Sequence, residues 1–283
     1  MGAFSLLITT PLGYIISFIY DLVQNCGLAI IIFTILVKFI MLPLVVKQQK
    51  STVQMKMVQP ELQKIQKKYA NDQQRLSQET MKLYKKYNIS PAGGCLPLLI
   101  QLPIILGLYQ VITRPMQYIL HMGTDLIQKI ANVLKDGGFI TEQIANYATK
   151  QNQITVASAM ADNLAFVEEK VGTALSTINF DFFGLDLSLT PQLSNPSILW
   201  IIPILSAVTA YLSGKITTKL SGNDQAAEQM KTMNIMMPLM SGYFCFIMPT
   251  GVGLYWVMSN VIQVIQQVVV TKIMLKKEEN TIS

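Results

Sequence analysis

Long apolar runs alternate along the chain with polar, mostly basic stretches. Crossing a bilayer takes about 20 predominantly apolar residues. Residues 27–46, 95–113, 196–213, 232–248 and 251–270 meet that requirement without one acidic residue among them, and their one cation is Lys38. No charged residue occurs between Lys231 and Lys272, and Pro249-Thr250-Gly251 supplies the turn that divides this stretch into two spans. The pattern predicts an all-α polytopic membrane protein with a five-helix transmembrane core.

Helical periodicity continues outside the spans. Near the N-terminus, Leu12, Ile15, Ile16, Ile19, Leu22 and Val23 recur at helical spacing, with Gly13, Ser17, Asp21 and Gln24 opposite. Thr10-Pro11 reads as the N-cap and first residue of this helix. An amphipathic helix lying on the outer membrane surface is expected, and a sixth span is the competing reading. Between the first two spans, Met55, Val58, Leu62, Ile65 and Tyr69 form one apolar seam, and Leu76, Leu83 and Tyr87 form a second. Pro60 breaks or restarts the first helix, and Ala70-Asn71-Asp72 turns the chain into a helical hairpin. Residues 116–135 and 141–176 read as amphipathic helices of an outer loop.

The positive-inside rule orients these elements. The loop 47–90 holds ten Lys/Arg against three acids, whereas 114–195 holds five against eight. The first therefore faces the cytoplasm and the second faces outward, which places the N-terminus outside and the C-terminus inside. The chain divides into an N-terminal interfacial helix (1–26), a first span (27–46), a basic cytoplasmic hairpin (47–94) and a second span (95–113). There follow an outer region (114–195), a third span (196–213), a cytoplasmic loop (214–231), spans four and five (232–248 and 251–270) and a tail (271–283).

Composition agrees with this picture. Of the 283 residues 51% are hydrophobic and 13% charged, far from the roughly 25% charge of soluble domains. The net charge of +6 reads as a topology signal and not as a nucleic-acid footprint. Cys26, Cys95 and Cys245 are too scattered for a disulfide frame or metal cluster, and one histidine, His121, leaves no multi-histidine site. Neither cofactor nor metal is expected.

Polar side chains inside the spans carry the functional signal. Lys38 lies eight residues before Val46, roughly 12 Å from the cytoplasmic end. A lysine at a helix centre costs about 2.5–3.5 kcal/mol, which snorkelling to the interface or a watered cavity relieves. Thr34 lies one turn before Lys38, and Gln101 sits in the second span. Ser206, Thr209 and Ser213 line a face of the third, Asn234, Ser241 and Cys245 a face of the fourth, and Trp256, Asn260 and Gln263 a face of the fifth. Each alone reads as an interhelical hydrogen bond. Together, with no buried carboxylate to neutralise Lys38, they point to a hydrophilic groove that awaits water or an incoming anion. Pro43, Pro97, Pro103, Pro203 and Pro238 loosen the same helices, and Met230, Met233, Met236, Met237 and Met240 offer adaptable apolar surface.

Four segments carry a resemblance. Thr34-Ile-Leu-Val-Lys-Phe-Ile-Met-Leu-Pro-Leu, Met57-Val-Gln-Pro-Glu-Leu-Gln-Lys-Ile, Asn88-Ile-Ser-Pro-Ala-Gly-Gly-Cys-Leu-Pro-Leu-Leu-Ile-Gln-Leu-Pro-Ile and Gly253-Leu-Tyr-Trp-Val-Met-Ser-Asn resemble the YidC/Oxa/Alb insertase family in its short bacterial form. The resemblance implies a monomer of the bacterial cell membrane that inserts and folds nascent membrane proteins without nucleotide. It implies a groove closed outside but open to cytoplasm and lipid, with the groove cation at Lys38, where arginine is usual. Trp256 matches the family pattern, and a groove glutamine of related chains falls at Ser213. The hairpin, with Met55, Met57, Lys64, Lys67, Lys68, Lys85 and Lys86, is expected to receive substrate in transient contact with the ribosome and the signal recognition particle pathway. Participation of the Sec translocon stays open. The alternative functions are a small-solute transporter or channel, which lacks a visible inverted repeat, and an intramembrane enzyme, which lacks a cleavage constellation.

Overall fold

The computed structural model describes residues 3–87, 96–150, 153–221 and 224–282, the side chains of 51–53, 55–56, 96–100, 219–221, 224–234 and 274–282 excepted. The chain is mostly helical. Among the described residues three helices are long and apolar enough to cross a membrane: Ser5–Val23 (α1), Ile198–Thr218 and Thr250–Ile273. A fourth crossing results if α2 (Cys26–Ile40) and the start of α3 (Leu42–Met57), bent by 51°, count as one span. Pro43 explains the bend, because it has no N–H to offer the carbonyl one turn back.

Helix α1 differs from expectation at its start and in its buried face. Thr10 is not an N-cap; the helix runs continuously from Ser5, with a widened π-turn over Ser5–Thr9 that absorbs the N–H missing at Pro11. The side that meets the protein carries Gly13, Ile16, Ser17, Ile19 and Tyr20, whereas Leu22 is exposed with Leu7, Tyr14 and Phe18. Small residues let backbones approach closely where the surrounding solvent is apolar. Thus Gly13 packs against Tyr118, and the Ser17 hydroxyl donates to the Ile119 carbonyl at 2.8 Å.

Residues 59–86 form a two-helix hairpin, α4 (Gln59–Lys68) and α5 (Gln73–Lys86), with Pro60 in the first turn of α4 and Asp72 capping α5. Val58, Leu62 and Leu83 form its small core, with Ile65 and Tyr84 packed against them. Tyr87 does not continue the seam: it is exposed, and its hydroxyl donates to Glu61.

After α6 (Leu96–Thr113) come α7 (Pro115–Tyr118), α8 (Thr124–Asp136), α9 (Glu142–Asn146), α10 (Gln153–Asp162) and α11 (Leu164–Val171). The two long amphipathic helices expected here are thus broken into shorter ones. His121, in the left-handed region at φ 52°, separates α7 from α8, and Gly172 at φ 78° ends α11. Ile127, Ile130, Ala131 and Leu134 of α8 are fully buried at helical spacing and organise the core of this region. His121 is itself exposed, stacked on Tyr14 at 4.8 Å and paired with Ser17 at 3.1 Å.

A short β-hairpin, β1 (Asp181–Phe182) and β2 (Leu185–Asp186), closes the region and leads to α12 (Ile201–Ser221), α13 (Asp224–Cys245) and α14 (Thr250–Ile282). Its flanks fasten to the bundle through main-chain bonds: Cys26 N donates to Asn179 O at 3.0 Å, and Gly251 N to Leu187 O at 3.0 Å. The segment 115–195 therefore caps the end of the bundle where α2, α12 and α14 begin.

Candidate functional site: a cation-bearing polar cavity

Lys38 stands in the last turn of α2, only 5% exposed, three residues before the bend at Met41. The side chain of Gln266 on α14 donates from Nε2 to the Lys38 carbonyl at 2.7 Å. From this point a cavity of about 330 Å³ extends between the helices. Among the described residues Lys38 is the one charged residue in its lining, and no carboxylate lines it.

Most of the polar wall comes from α14. Tyr255, Trp256, Ser259, Asn260, Gln263, Gln266 and Gln267 fall at 3- and 4-residue spacing and so share one helix face. Cross-bonds hold that face to its neighbours. Gln101 on α6 donates to the Tyr255 hydroxyl, Asn260 Nδ2 to Thr209 Oγ1 at 3.3 Å, and Thr217 Oγ1 to Gln267 Oε1 at 2.9 Å. Farther down, Gln49 of α3 donates to Thr271 Oγ1 at 2.7 Å, which fastens the segment beyond the bend to α14. Met237 and Met240 of α13 supply the apolar side, and Trp256 stacks on Phe244 at 6.0 Å.

Of the polar residues singled out in the spans, the cavity gathers Lys38, Gln101, Ser213, Ser241, Trp256, Asn260 and Gln263. Three others do not line it. Thr34 is buried and turns its hydroxyl back to the Ile30 carbonyl at 2.6 Å, a common resting place for a helical threonine. Ser206 is spent on Ser241 at 2.6 Å, and Thr209 bonds its own helix at the Leu205 carbonyl besides accepting from Asn260. The side chain of Asn234 lies outside the described residues, as does that of Met55. Tyr255, Ser259, Thr217 and Gln48 line the cavity although sequence reasoning passed over them. Tyr255 and Ser259 were findable, since they sit one residue before and three after Trp256. Gln48 was not, because it follows the span in a stretch that reads as polar loop.

Met57, at the end of α3, and Lys64, Lys67, Lys68, Lys85 and Lys86 of the α4–α5 hairpin are exposed. Lys86 pairs with Glu61 at 3.6 Å. The Tyr87 hydroxyl, helped by Lys86, holds the Glu61 carboxyl below the usual carboxylate range, and the same neighbours raise Lys86. Lys67, Lys68 and Arg75 gather around the turn between the two helices. Among the described residues no group of three His, Cys, Asp or Glu could hold a metal ion.

Apolar helices of spanning length, packed around a polar pocket that holds a buried cation, define a polytopic helical membrane protein. The family described as 60Kd inner membrane protein matches residues 18–278, so the chain belongs to that family, and it is a bacterial membrane protein. It is 31% identical over 261 residues to a membrane protein insertase YidC of Fusobacterium nucleatum, covering 92% of this chain and 93% of the relative. A membrane protein insertase YidC of Oceanobacillus iheyensis is 30% identical, with 98% of this chain and 87% of the relative covered. An ALBINO3-like protein 1 of Arabidopsis chloroplasts is 32% identical over 86% of this chain and 42% of its own length.

Proposed function

We propose that this protein is a membrane protein insertase of the bacterial cell membrane, acting on nascent membrane proteins through the cavity around Lys38. The observation that carries the reading is that, among the described residues, one buried cation and no carboxylate line a polar pocket between apolar helices. A hydrophilic segment crossing hydrocarbon pays several kcal/mol for each unpaired polar group. A wet pocket reaching partway into the bilayer shortens that barrier. Lys38 attracts acidic residues of the incoming segment, the α14 amides and hydroxyls solvate its backbone, and the apolar helix of the substrate then leaves sideways into lipid past Met237 and Met240.

The finer architecture follows from this reading. The five spans are the bent α2–α3 pair, α6, α12, α13 and α14. The cavity opens toward the cytoplasm, where the lysine-rich α4–α5 hairpin receives substrate in transient contact with the ribosome and the signal recognition particle pathway. The segment 115–195 closes the outer end. Helix α1 lies across that end as an interfacial helix with the N-terminus outside. Ser5 pairs with the Tyr118 hydroxyl and Thr9 with Gln110 near the end of α6, while Tyr20 bonds Thr177 and Asn179 beside the start of α2. These bonds at both ends of α1, near the end of α6 and beside the start of α2, support this reading. The protein acts as a monomer without cofactor. Among the described residues the lining holds no carboxylate that would couple protons or sodium, which favours the insertase reading over a transporter.

The reading is tested with purified protein in vesicles of bacterial lipid and a single-span substrate carrying an acidic outer tail, followed by protease protection. Insertion above that of protein-free vesicles is expected; equal insertion in both would contradict the proposal.

A further inference from the structure

The turn between β1 and β2 places an aromatic residue where its backbone suits it least. Asp181 pairs with Asp186 and Phe182 with Leu185, which leaves Phe183 and Gly184 as a two-residue connection. Their φ angles of 53° and 79° are those of a type I′ turn, whose first position favours Asn, Asp or Gly. The two rings meet edge-on at 4.7 Å but differ in burial. Phe182 packs its ring onto Gly27 at the start of α2, while Phe183 projects outward, 87% exposed. Held strain together with a bared large apolar side chain marks a surface with a partner.

The surroundings identify that partner. The hairpin is bonded to the helices at the level where they begin, through Asn179 to Cys26, Leu187 to Gly251, and Leu189 to Thr250 at 2.8 Å. At the same level Trp200 donates its indole N–H to the Gln192 carbonyl at 2.9 Å, the half-apolar, half-polar setting that tryptophan takes at a membrane–water boundary. Leu189, Leu193 and Ile198 are exposed along this rim among the exposed polar Thr190, Gln192, Ser194, Asn195 and Ser197, the mixed surface of a boundary layer. From Ile198 the exposed positions stay apolar through Ile201, Ile204 and Leu205 of the spanning helix α12. A surface continuous with the lipid-facing side of a span takes the same occupant as the span.

We propose that the β-hairpin tip is a lipid anchor: Phe183, together with the exposed Leu189, Leu193 and Ile198, seats in the interfacial layer of the bilayer leaflet at the capped end of the bundle. The anchor fixes how deeply the 115–195 cap sits, and through Phe182 on Gly27 it fixes the start of the helix that carries Lys38. It rests on α12 and α14 crossing the bilayer and is independent of the insertase activity.

The test uses full-length protein in vesicles of phosphatidylcholine and phosphatidylglycerol, with the phosphatidylcholine brominated in the upper acyl chain. The wild type has two tryptophans, Trp200 and Trp256, so the emission added by Phe183→Trp is read as a difference. The added emission is expected to be blue-shifted and to fall by about twofold or more in brominated lipid while resisting aqueous iodide, as for an interfacial indole. An added emission quenched by iodide and indifferent to bromine overturns the anchor while the wild-type indoles remain quenched by lipid. If the wild-type emission is itself indifferent to bromine, the spanning of α12 and the anchor fall together. Leu193→Trp on the same rim gives the same reading if Phe183→Trp does not fold.

Discussion

Gln266 Nε2 donates to the main-chain carbonyl of Lys38 at 2.7 Å, across the space between α14 and the bent end of α2. The bond satisfies a carbonyl in the turn where the 51° bend begins, and it ties the backbone that carries the buried cation to the helix that supplies most of the polar wall. The remaining amide oxygen of Gln266 is buried without a partner.

Gln266→Leu should therefore loosen the lysine without removing it. A neutral intramolecular hydrogen bond contributes about 0.5–1.5 kcal/mol, so a modest loss of thermal stability in detergent is expected. Insertion of an acidic-tailed substrate should fall several-fold. Full activity with an unchanged melting temperature would show that the bond does not hold Lys38 in place.

Gly27 has no room for a side chain, because a Cβ there would meet the ring of Phe182. Gly27→Val should push the β-hairpin off α2 and cost about 1–3 kcal/mol, the range for overpacking a filled site. Pairing it with Phe182→Ala should recover much of the loss. The check is thermal unfolding of the two single variants and the double, and additive losses would show that the two residues do not meet.

Ser206 and Ser241 share a 2.6 Å bond between α12 and α13, both buried. Replacing one by alanine orphans the other hydroxyl at about 1–3 kcal/mol, whereas replacing both removes the need. The double alanine variant should thus be nearer to wild type than either single. A double variant as damaged as the sum of the singles would mean that each hydroxyl has another partner.

The spanning-length helices Ile198–Thr218 and Thr250–Ile273 were legible because a long apolar run without charge is a signal that little else in a protein imitates. The cavity was legible on α14, where Trp256, Asn260 and Gln263 recur at helical spacing. It was less so on α2 and α12, since a polar residue in a span can serve its own helix, as Thr34 does, or a single neighbour, as Ser206 does. Which side of α1 meets the protein was not legible for a physical reason: in contact with lipid, apolarity no longer marks the inward side, and Gly13 and Ser17 share it with Ile16, Ile19 and Tyr20. The widened turn before Pro11 and the break at His121 depend on backbone conformations that no residue type there announces.

Glu61 gives the α4–α5 hairpin a pH dependence. Its carboxyl is held below the ordinary value of about 4.3, so its bond to Tyr87 stabilises the hairpin fully at neutral pH. That contribution fades as pH drops below the ordinary value and through the lowered one. Hydrogen exchange across α4 and α5 should accelerate over that window in the wild type and show no such transition in Glu61→Gln. Identical profiles for the two proteins would remove Glu61 from the account.

The central claim is that the buried cation of Lys38 draws acidic segments into the bundle. The direct measurement is insertion into protein-containing vesicles of two substrates that differ only in the charge of their outer tail, acidic or neutral, with wild type, Lys38→Arg and Lys38→Ala compared. Lys38→Arg should keep both activities, and Lys38→Ala should lose about tenfold on the acidic tail, about 1.4 kcal/mol, while sparing the neutral one. A folded Lys38→Ala that inserts the acidic tail as well as wild type would contradict the claim.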